Sequence, residues 1–436
     1  MNQENLAVTR ELIEFIRRSP TAFQAAETIS AMLEEAGFVR LSEGGPWNLK
    51  PGGRYFLTRN LSSVAAFRIP EEGADSFMIA ASHTDSPTFK LKNNCEDEAC
   101  GKYLRLNTER YGGMILSTWF DRPLSLAGRV ILRDGGRFTA KSVVVDRDLL
   151  LIPSVAIHFN RQANDGMKID PSVDTVPLFS TPEGKGALRK IIAEASGASE
   201  DQLAGMDLFL YNRTPGSIWG AGEEFFSAPR IDNLMCAFGT LRGFLSAEPG
   251  RTVQVYAAFD NEETGSDTKQ GAGSMLLRDT LDRIAESLGK DLRRMLAASF
   301  MLSADNGHAR HPNHPELSDA ENAPYMNEGV VIKTNAAQKY TTDGLSSALF
   351  AEICRRAGVP VQQFANRSDL AGGSTLGGIS NTKVPLNTVD IGLAQLAMHS
   401  SYETAGCADA AYLIRAAGEF YRSAIETAGD GTYTLF

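Results

Sequence analysis

The sequence predicts an α/β fold in which a main domain is interrupted by a smaller β-rich insertion. Apolar strand-like runs alternate with amphipathic helical segments in the first and last parts of the chain, which is the pattern of α/β proteins. Between these parts, short alternating segments are separated by Gly- and Pro-containing turns, which favours antiparallel strands. We therefore expect residues 1–88 and 229–436 to form the main α/β domain and residues 89–228 to form the insertion.

The N-terminal part predicts two helices followed by strands. Leu12 and Ile16 lie on one helical face, and a second apolar helical face extends from residue 23 to 36. Gly37 ends the second helix, because glycine adopts the left-handed conformation of a helix C-terminus at little cost. The apolar run at 77–82 then predicts a buried strand.

A change of pattern marks the insertion and the return to α/β structure. Segments 129–133 and 141–146 alternate apolar and other residues, and the two glycines between them predict a turn. At Asp232 an amphipathic helical pattern resumes, and a last apolar helical face lies at 413–421. The sequence shows no internal repeat that would suggest another architecture.

Metal-binding side chains follow four apolar strand-like runs. The runs and the residues after them are 77–82 with His83, 253–259 with Glu262 and Glu263, 300–304 with Asp305, and 389–393 with His399. Open α/β proteins place their sites at the carboxyl ends of the strands. We therefore expect these side chains to meet at one edge of a sheet.

These residues predict a metal site. With Asp232 they supply histidines and carboxylates, a ligand set that suits zinc or a similar divalent ion. Five ligands exceed what one tetrahedral ion with an open position needs, so two ions sharing a bridging carboxylate are the economical arrangement. Of the two adjacent glutamates, one can bind metal while the other carries a proton. A solvated acidic turn is the alternative for 260–263 taken alone.

Eight segments together resemble one enzyme family. They are SHTDSP at 82–87, TWFDR at 118–122, AIH at 156–158, PRIDNL at 229–234, DNEE at 260–263, SAD at 303–305, HARHPN at 308–313 and QLAMHS at 395–400. In this order and spacing they resemble the M18 family of metallo-aminopeptidases, and in particular its aspartyl aminopeptidase group. The resemblance covers almost the whole chain. It implies a zinc-peptidase-like α/β catalytic domain interrupted by a smaller β-rich domain that is used in assembly and dimerisation.

The resemblance also implies a role for each metal-binding residue. Asp232 bridges two divalent ions, His83 and Asp305 complete one site, and Glu263 and His399 complete the other. Zinc is the expected metal, and cobalt or manganese suit the same ligands.

Two more acidic residues are expected to take part in catalysis. Asp85 accepts the second ring N–H of His83, which is how zinc-binding histidines are usually oriented. A local turn is the alternative role for Asp85. Glu262 is the expected general base, which takes a proton from a metal-activated water and returns it to the leaving amine.

The resemblance implies peptide substrates with an acidic N-terminal residue, Asp or Glu. Lys333 ends an apolar strand, although lysines usually lie at the surface, and the resemblance places it beside the substrate side chain with Tyr340 and His308. A cation there would pair with the side-chain carboxylate of such a substrate, because a buried charge without a partner is costly. Relatives that prefer neutral or basic N-terminal residues give the alternative substrate class.

The expected assembly also comes from the resemblance. It implies a homo-oligomer, a tetrahedral dodecamer built from dimers that enclose the active sites. In that arrangement His158 lies on a loop of the insertion that reaches the active site of a neighbouring subunit.

Composition excludes several other classes of partner. Lys and Arg number 43 against 53 Asp and Glu, and the net charge of −10 argues against nucleic acid or an anionic membrane as partner. The N-terminus lacks the residue order of a signal peptide, and no apolar run is long enough to cross a bilayer. Five cysteines without a CxxC pair favour reduced thiols. We therefore expect a cytoplasmic protein.

Two other functions compete with the aminopeptidase hypothesis. A related deacylase or carboxypeptidase would use the same metal ligands, but the segments around His158 and His308 disfavour it. An inactive assembly protein would not need the five ligands and Glu262. Glycine-rich segment 372–377 is expected to be a loop near the site or a plain turn. His311 and His314 are expected to be surface or substrate-side histidines.

Overall fold

A computed structural model describes all residues, 1–436, and shows a mixed α/β architecture. The α-helices are Gln3–Arg18, Ala22–Glu35, Ala187–Ser196, Ile231–Ser246, Leu276–Ser287, Leu292–Ala297, Gly344–Arg356, Leu376–Asn381 and Asp409–Arg422. The first two are the predicted N-terminal helices, and Gly37 follows the second with φ 79°. None of the helices has the combination of length and apolar character that a membrane crossing needs.

A nine-stranded sheet forms the centre of the main domain. Its strands, in spatial order, are Val39–Arg40, Arg54–Arg59, Ser63–Arg68, Val253–Phe259, Phe77–His83, Phe300–Ala304, Asn387–Gly392, Val330–Lys333 and Val361–Phe364. Four neighbouring strands of this sheet run parallel, and they are Val253–Phe259, Phe77–His83, Phe300–Ala304 and Asn387–Gly392. They are the four strands that the sequence predicts to end in metal-binding residues.

The central strands are buried on both faces, which explains their continuous apolar sequence. In strand Phe77–His83, Met78 and Ala80 pack into the core on one face, and Ile79 and Ala81 pack into the core on the other. The helix at 276–287 covers the second face, and most other helices cover the first. This two-sided burial fixes the strand register, so the strand ends lie at defined positions.

A separate six-stranded sheet is built from residues that lie in the sequence between strands Phe77–His83 and Val253–Phe259. Its strands, in spatial order, are Arg137–Val144, Leu124–Asp134, Leu203–Asn212, Thr88–Ala99, Tyr103–Tyr111 and Leu178–Ser180. They pair antiparallel and have their own hydrophobic core of 18 buried residues. These observations support our proposal of an insertion domain, whose own sheet lies within residues 88–212, against the expected range 89–228.

A third, five-stranded sheet links the end of the insertion to the main domain. Its strands, in spatial order, are Ser217–Trp219, Phe225–Ala228, Glu403–Gly406, Ala394–Leu396 and Gly307–His308. The strand at 225–228 pairs with the one at 403–406, and it leads directly into the helix that carries Asp232. A C-terminal hairpin, Ile425–Gly429 and Thr432–Leu435, completes the fold.

Candidate metal centre

The five residues predicted to bind metal meet at the carboxyl edge of the central sheet. His83 is the last residue of its strand and pairs in register with Phe259, so the acidic turn after Phe259 starts beside it. Asp305 directly follows strand Phe300–Ala304. Parallel strands therefore deliver ligands from distant parts of the chain to one place, as the sequence predicts.

Asp232 lies between two groups of these side chains. Its Oδ1 is 3.6 Å from His83 Nε2, and that nitrogen is 3.5 Å from Asp305 Oδ1. Its Oδ2 is 3.4 Å from His399 Nε2, and that nitrogen is 3.4 Å from Glu263 Oε2. Each oxygen of Asp232 thus faces a different histidine–carboxylate pair, which is the arrangement of a bridging ligand.

Both histidines have their ring tautomer set by a backbone carbonyl. His83 Nδ1–H donates to the carbonyl of Asp85 over 3.1 Å, and His399 Nδ1–H donates to the carbonyl of Gly113. A carbonyl only accepts, so the proton resides on Nδ1 in each ring. Nε2 of each ring therefore faces the carboxylates, and once it has lost its proton it can bind a metal ion there.

Two buried carboxylate oxygens in this cluster have no hydrogen-bond partner, Asp232 Oδ1 and Glu263 Oε1. Ligand atoms of His83, Asp232 and Glu263 all lie within 4.8 Å of one another. Buried polar atoms are normally satisfied, and imidazole nitrogens and carboxylates are the ligands that zinc accepts. The residues present therefore fit a divalent metal ion.

The crowded carboxylates respond to one another electrostatically. Burial raises the pKa of Glu262 to about 8, and Asp305, Asp85 and Asp232 add to that shift while His83 opposes it. Burial and the charge of Asp232 also raise the pKa of Glu263 well above its ordinary value. A bound cation would remove this penalty on ionisation, because opposite charge favours the ionised form.

Asp85 organises the acidic turn as well as the ring of His83. Its side chain accepts the backbone N–H groups of Glu262 and Glu263, each over 3.2 Å, and the hydroxyl of Tyr111 over 2.6 Å. Its Oδ1 lies 3.3 Å from His83 Nδ1, so the carboxylate sits close to the ring N–H that its own carbonyl accepts. Tyr111, on the insertion, was not predicted from the sequence, because this contact depends on how the two sheets meet.

A cleft of about 310 Å³ opens beside the cluster. Lys333, Tyr340 and His308 line it together with glycine-rich residues 373–375. Lys333 is buried, and its Nζ donates to the carbonyl of Asn306 over 2.8 Å. The same nitrogen lies 3.8 Å from Asp305 Oδ2 and 5.5 Å from the centre of the Tyr340 ring. The predicted substrate-side residues therefore share one cleft with the predicted metal ligands.

Three predicted histidine positions lie away from this cleft. His158 is exposed in the loop between strands of the insertion and does not line the cleft. His311 and His314 are exposed, with their ring centres 5.4 Å apart, and neither lines the cleft. Of the two expected positions, surface or substrate side, they therefore take the surface one. Only His308 of the 308–314 segment reaches the cleft.

Glu403 is a site residue that the sequence did not reveal. Its side chain is buried, and it accepts the backbone N–H groups of Asp232 and His399. The only sequence signal was an acidic residue shortly after His399 at the start of a strand. That signal is weak, because most acidic residues near turns are solvated.

An open α/β sheet with histidines and carboxylates gathered at its carboxyl edge is the construction of a metal-dependent hydrolase. The profile of the family described as Aminopeptidase I zinc metalloprotease (M18) matches residues 15–421. The chain belongs to the M18 family of metallo-aminopeptidases and is therefore a metallo-hydrolase that acts on peptides.

Individual relatives cover nearly the whole chain. A probable M18 family aminopeptidase 2 of Clostridium acetobutylicum is 44% identical over 96% of this chain and 99% of its own length. One from Pseudomonas syringae pv. tomato is 36% identical over 95% of this chain and 98% of its own length.

Solved structures show the same fold. Ape4, from a cryo-EM structure of the Ape4 and Nbr1 complex, superposes with a TM-score of 0.93 at 34% identity, over 96% of this chain and 86% of that one. The S. cerevesiae mApe1 dodecamer superposes with a TM-score of 0.85 at 26% identity, over 97% of both chains. These likenesses confirm the predicted family and fold class.

Proposed function

We propose that the protein is a dinuclear aminopeptidase that removes N-terminal residues from peptides. The observation that carries the proposal is the position of Asp232, whose two carboxylate oxygens face different histidine–carboxylate pairs. In this proposal His83 and Asp305 complete one metal site, and Glu263 and His399 complete the other. Zinc is the metal that the family description favours.

Glu262 is the proposed general base. Bound metal ions supply Lewis-acid activation of the scissile carbonyl and of water. Glu262 lies in the cleft with its Oε2 3.9 Å from His83 Nε2, so it borders the space between the ligands. Bound cations would favour the ionised form of Glu262, and the carboxylate is the form that accepts a proton from water. Glu262 takes a proton from the attacking water and delivers it to the leaving amine.

Acidic N-terminal residues are the proposed substrates because the cleft contains a buried cation. Burial opposes protonation of Lys333, but Asp305, together with smaller contributions from Tyr340 and Asp390, raises the pKa of the ammonium group. Lys333 Nζ uses one N–H on the carbonyl of Asn306, so further N–H groups are free to bind a substrate carboxylate. The alternative within the family is a preference for neutral or basic N-terminal residues. In that case Lys333 would pair only with Asp305 and would not bind the substrate side chain.

The first prediction tests activity and substrate class together. Wild type should release N-terminal Asp and Glu from chromogenic aminoacyl amides faster than Leu or Ala, and a chelator should abolish all four activities. Lys333→Met should reduce kcat/KM on Asp and Glu roughly 10- to 100-fold more than on Leu and Ala, because a hydrogen bond to a charged group contributes about 1.5–3 kcal/mol. Lys339→Met, on the exposed part of the following loop, is the matched control.

The outcomes of this assay separate the competing functions. Equal losses on all four substrates would show that Lys333 does not recognise the side chain. Chelator-sensitive cleavage of acylated or C-terminal substrates alone would favour the deacylase or carboxypeptidase alternative. If the protein binds metal but hydrolyses none of these compounds, the result would favour the hypothesis of an inactive assembly protein.

We further propose that the protein forms a homo-oligomer, a tetrahedral dodecamer as implied by the family. Support comes from the S. cerevesiae mApe1 dodecamer, which shares the fold, and from apolar side chains around His158. Val155, Ile157 and Phe159 are 55%, 49% and 87% exposed, and such clusters of exposed apolar groups mark interaction surfaces. His158 would then contribute to the active site of a neighbouring subunit.

The second prediction concerns this loop. Phe159→Asp should dissociate the oligomer and reduce activity while metal content stays at the wild-type level, because no metal ligand is touched. Leu317→Asp, which also places a charge at an exposed apolar position, is the control and should keep the assembly. Sedimentation velocity and activity of the same samples give the answer. A wild-type protein that sediments as a fully active monomer would contradict the proposal.

The cysteines bear on where the protein works. All five are unpaired, and Cys100 is the only exposed one. Free thiols persist where the environment is reducing. A cytoplasmic location is therefore part of the proposed function.

A further inference from the structure

Glu403 connects two metal-ligand segments that are far apart in the sequence. Its Oε2 accepts the backbone N–H of Asp232 over 3.0 Å, and its Oε1 accepts the backbone N–H of His399 over 2.8 Å. The side chain is 1% exposed. Asp232 is the proposed bridging ligand and His399 completes one of the two sites, so Glu403 holds the main chain of both.

The carboxylate is itself fixed by a buried hydrogen-bond chain. Gln395 Nε2 donates to Glu403 Oε1 over 3.2 Å, and Gln395 Oε1 accepts from Asn306 Nδ2. The carbonyl of Asn306 then accepts Lys333 Nζ over 2.8 Å. The chain therefore runs from the cleft lysine to both ligand segments, and each of its members has a defined partner.

The contacts argue against a role for Glu403 as a metal ligand. Both of its oxygens already accept backbone N–H groups, while the oxygens without partners belong to Asp232 and Glu263. Burying a carboxylate is costly unless its hydrogen bonds are made. An apolar side chain would avoid that cost but would leave two buried backbone N–H groups without acceptors.

We propose that Glu403 is a positioning residue that holds the backbones of Asp232 and His399 so that their side chains are set for metal binding. The proposal rests on the proposed metal site. It predicts that metal affinity depends on Glu403 although Glu403 does not touch the metal. Groups outside the ligand shell typically change metal affinity by roughly 10- to 100-fold when they are replaced.

The test compares Glu403→Gln with a matched control elsewhere. The glutamine can accept only one of the two N–H groups, because its amide nitrogen is a donor. Asp409 is also fully buried and also accepts two backbone N–H groups, those of Asn327 and Gly329, and it makes no hydrogen bond to a proposed metal ligand. Asp409→Asn therefore reproduces the general cost of removing a buried carboxylate.

Both variants and wild type are stripped of metal, and Zn²⁺ affinity is measured by competition with a chromophoric chelator. Thermal unfolding of the metal-free proteins is measured beside it, and Co²⁺-loaded samples are compared by their visible ligand-field spectra. Both variants are expected to unfold at lower temperature. Only Glu403→Gln should bind Zn²⁺ roughly 10- to 100-fold more weakly and show a changed Co²⁺ spectrum.

Wild-type Zn²⁺ affinity and an unchanged Co²⁺ spectrum in folded Glu403→Gln would overturn the proposal. If this variant does not fold, Glu403→Asp carries the test, because it keeps the carboxyl group but is one methylene too short to reach both N–H groups. Unchanged affinity in Glu403→Asp would also overturn it. Wild type that binds one ion or none would instead refute the dinuclear proposal, and that result is read from the wild-type titration alone.

Discussion

Glu262→Gln is expected to retain both metal ions and to lose at least about 100-fold in turnover, the usual scale for removing a general acid or base. Glutamine keeps the shape and the hydrogen-bonding oxygen of the side chain but cannot carry the proton. Substrate affinity should change little, because the exchange leaves the cleft lining intact. Metal analysis, KM and kcat on an aminoacyl amide measure the three quantities on one preparation.

Stability of the metal-free protein provides the control for folding. The pKa of Glu262 is raised from 4.5 to about 8 in the folded state, so between these values the unfolded chain binds fewer protons than the folded one. Stability therefore falls as the pH rises through this window, and Glu262→Gln removes that loss. At pH 7 the metal-free variant should unfold at the same or a higher temperature than wild type.

Glu328→Gln, at an exposed position, is the matched control for the change of charge. It should keep wild-type turnover. Near-normal turnover in Glu262→Gln, with metals bound, would show that another group transfers the proton.

Asp232→Asn is expected to have the second large effect, on both metal ions at once. The amide offers one oxygen in place of two, so it cannot face both histidine–carboxylate pairs. Replacing groups outside the ligand shell already costs roughly 10- to 100-fold in metal affinity, so we expect the loss of the bridging ligand to exceed about 100-fold. Activity should fall to background at micromolar metal.

His399→Ala separates bridging from single-site ligation. It removes a ligand from one proposed site only, so one ion should remain bound at wild-type affinity. Titration of metal into the stripped proteins distinguishes the two patterns, and Asp409→Asn controls for the loss of a buried carboxylate. Loss of only one ion from Asp232→Asn would contradict the bridging role.

The meeting of the proposed metal ligands at one sheet edge was predictable because it depends on local sequence. His83, Asp305 and the 260–263 turn each end a strongly apolar strand, and the carboxyl ends of parallel strands share one edge. The change from helical alternation to short turn-separated segments likewise predicted a separate β-rich sheet. Both signals are periodicities that a single sequence displays.

Contacts between distant segments were not predictable in the same way. Glu403 acts on backbone N–H groups of residues elsewhere in the chain, and Tyr111 reaches Asp85 only because the insertion sheet meets the main domain there. The pairing of 225–228 with 403–406 was also not foreseen. Nothing in the periodicity of either strand specifies its partner, because many strands have compatible patterns.

The order of the ligands along the chain has a consequence for biosynthesis. The strand of His83 pairs with 253–259 and 300–304, and His399 lies 316 residues after His83. At roughly 5–20 residues per second, tens of seconds separate the first ligand from the last. The insertion sheet, whose strands all lie between residues 88 and 212, can fold during that interval. If all five proposed ligands are needed, the site is complete only after His399 has been synthesised, and a chain truncated before His399 would present an incomplete site to the cell's metal pool.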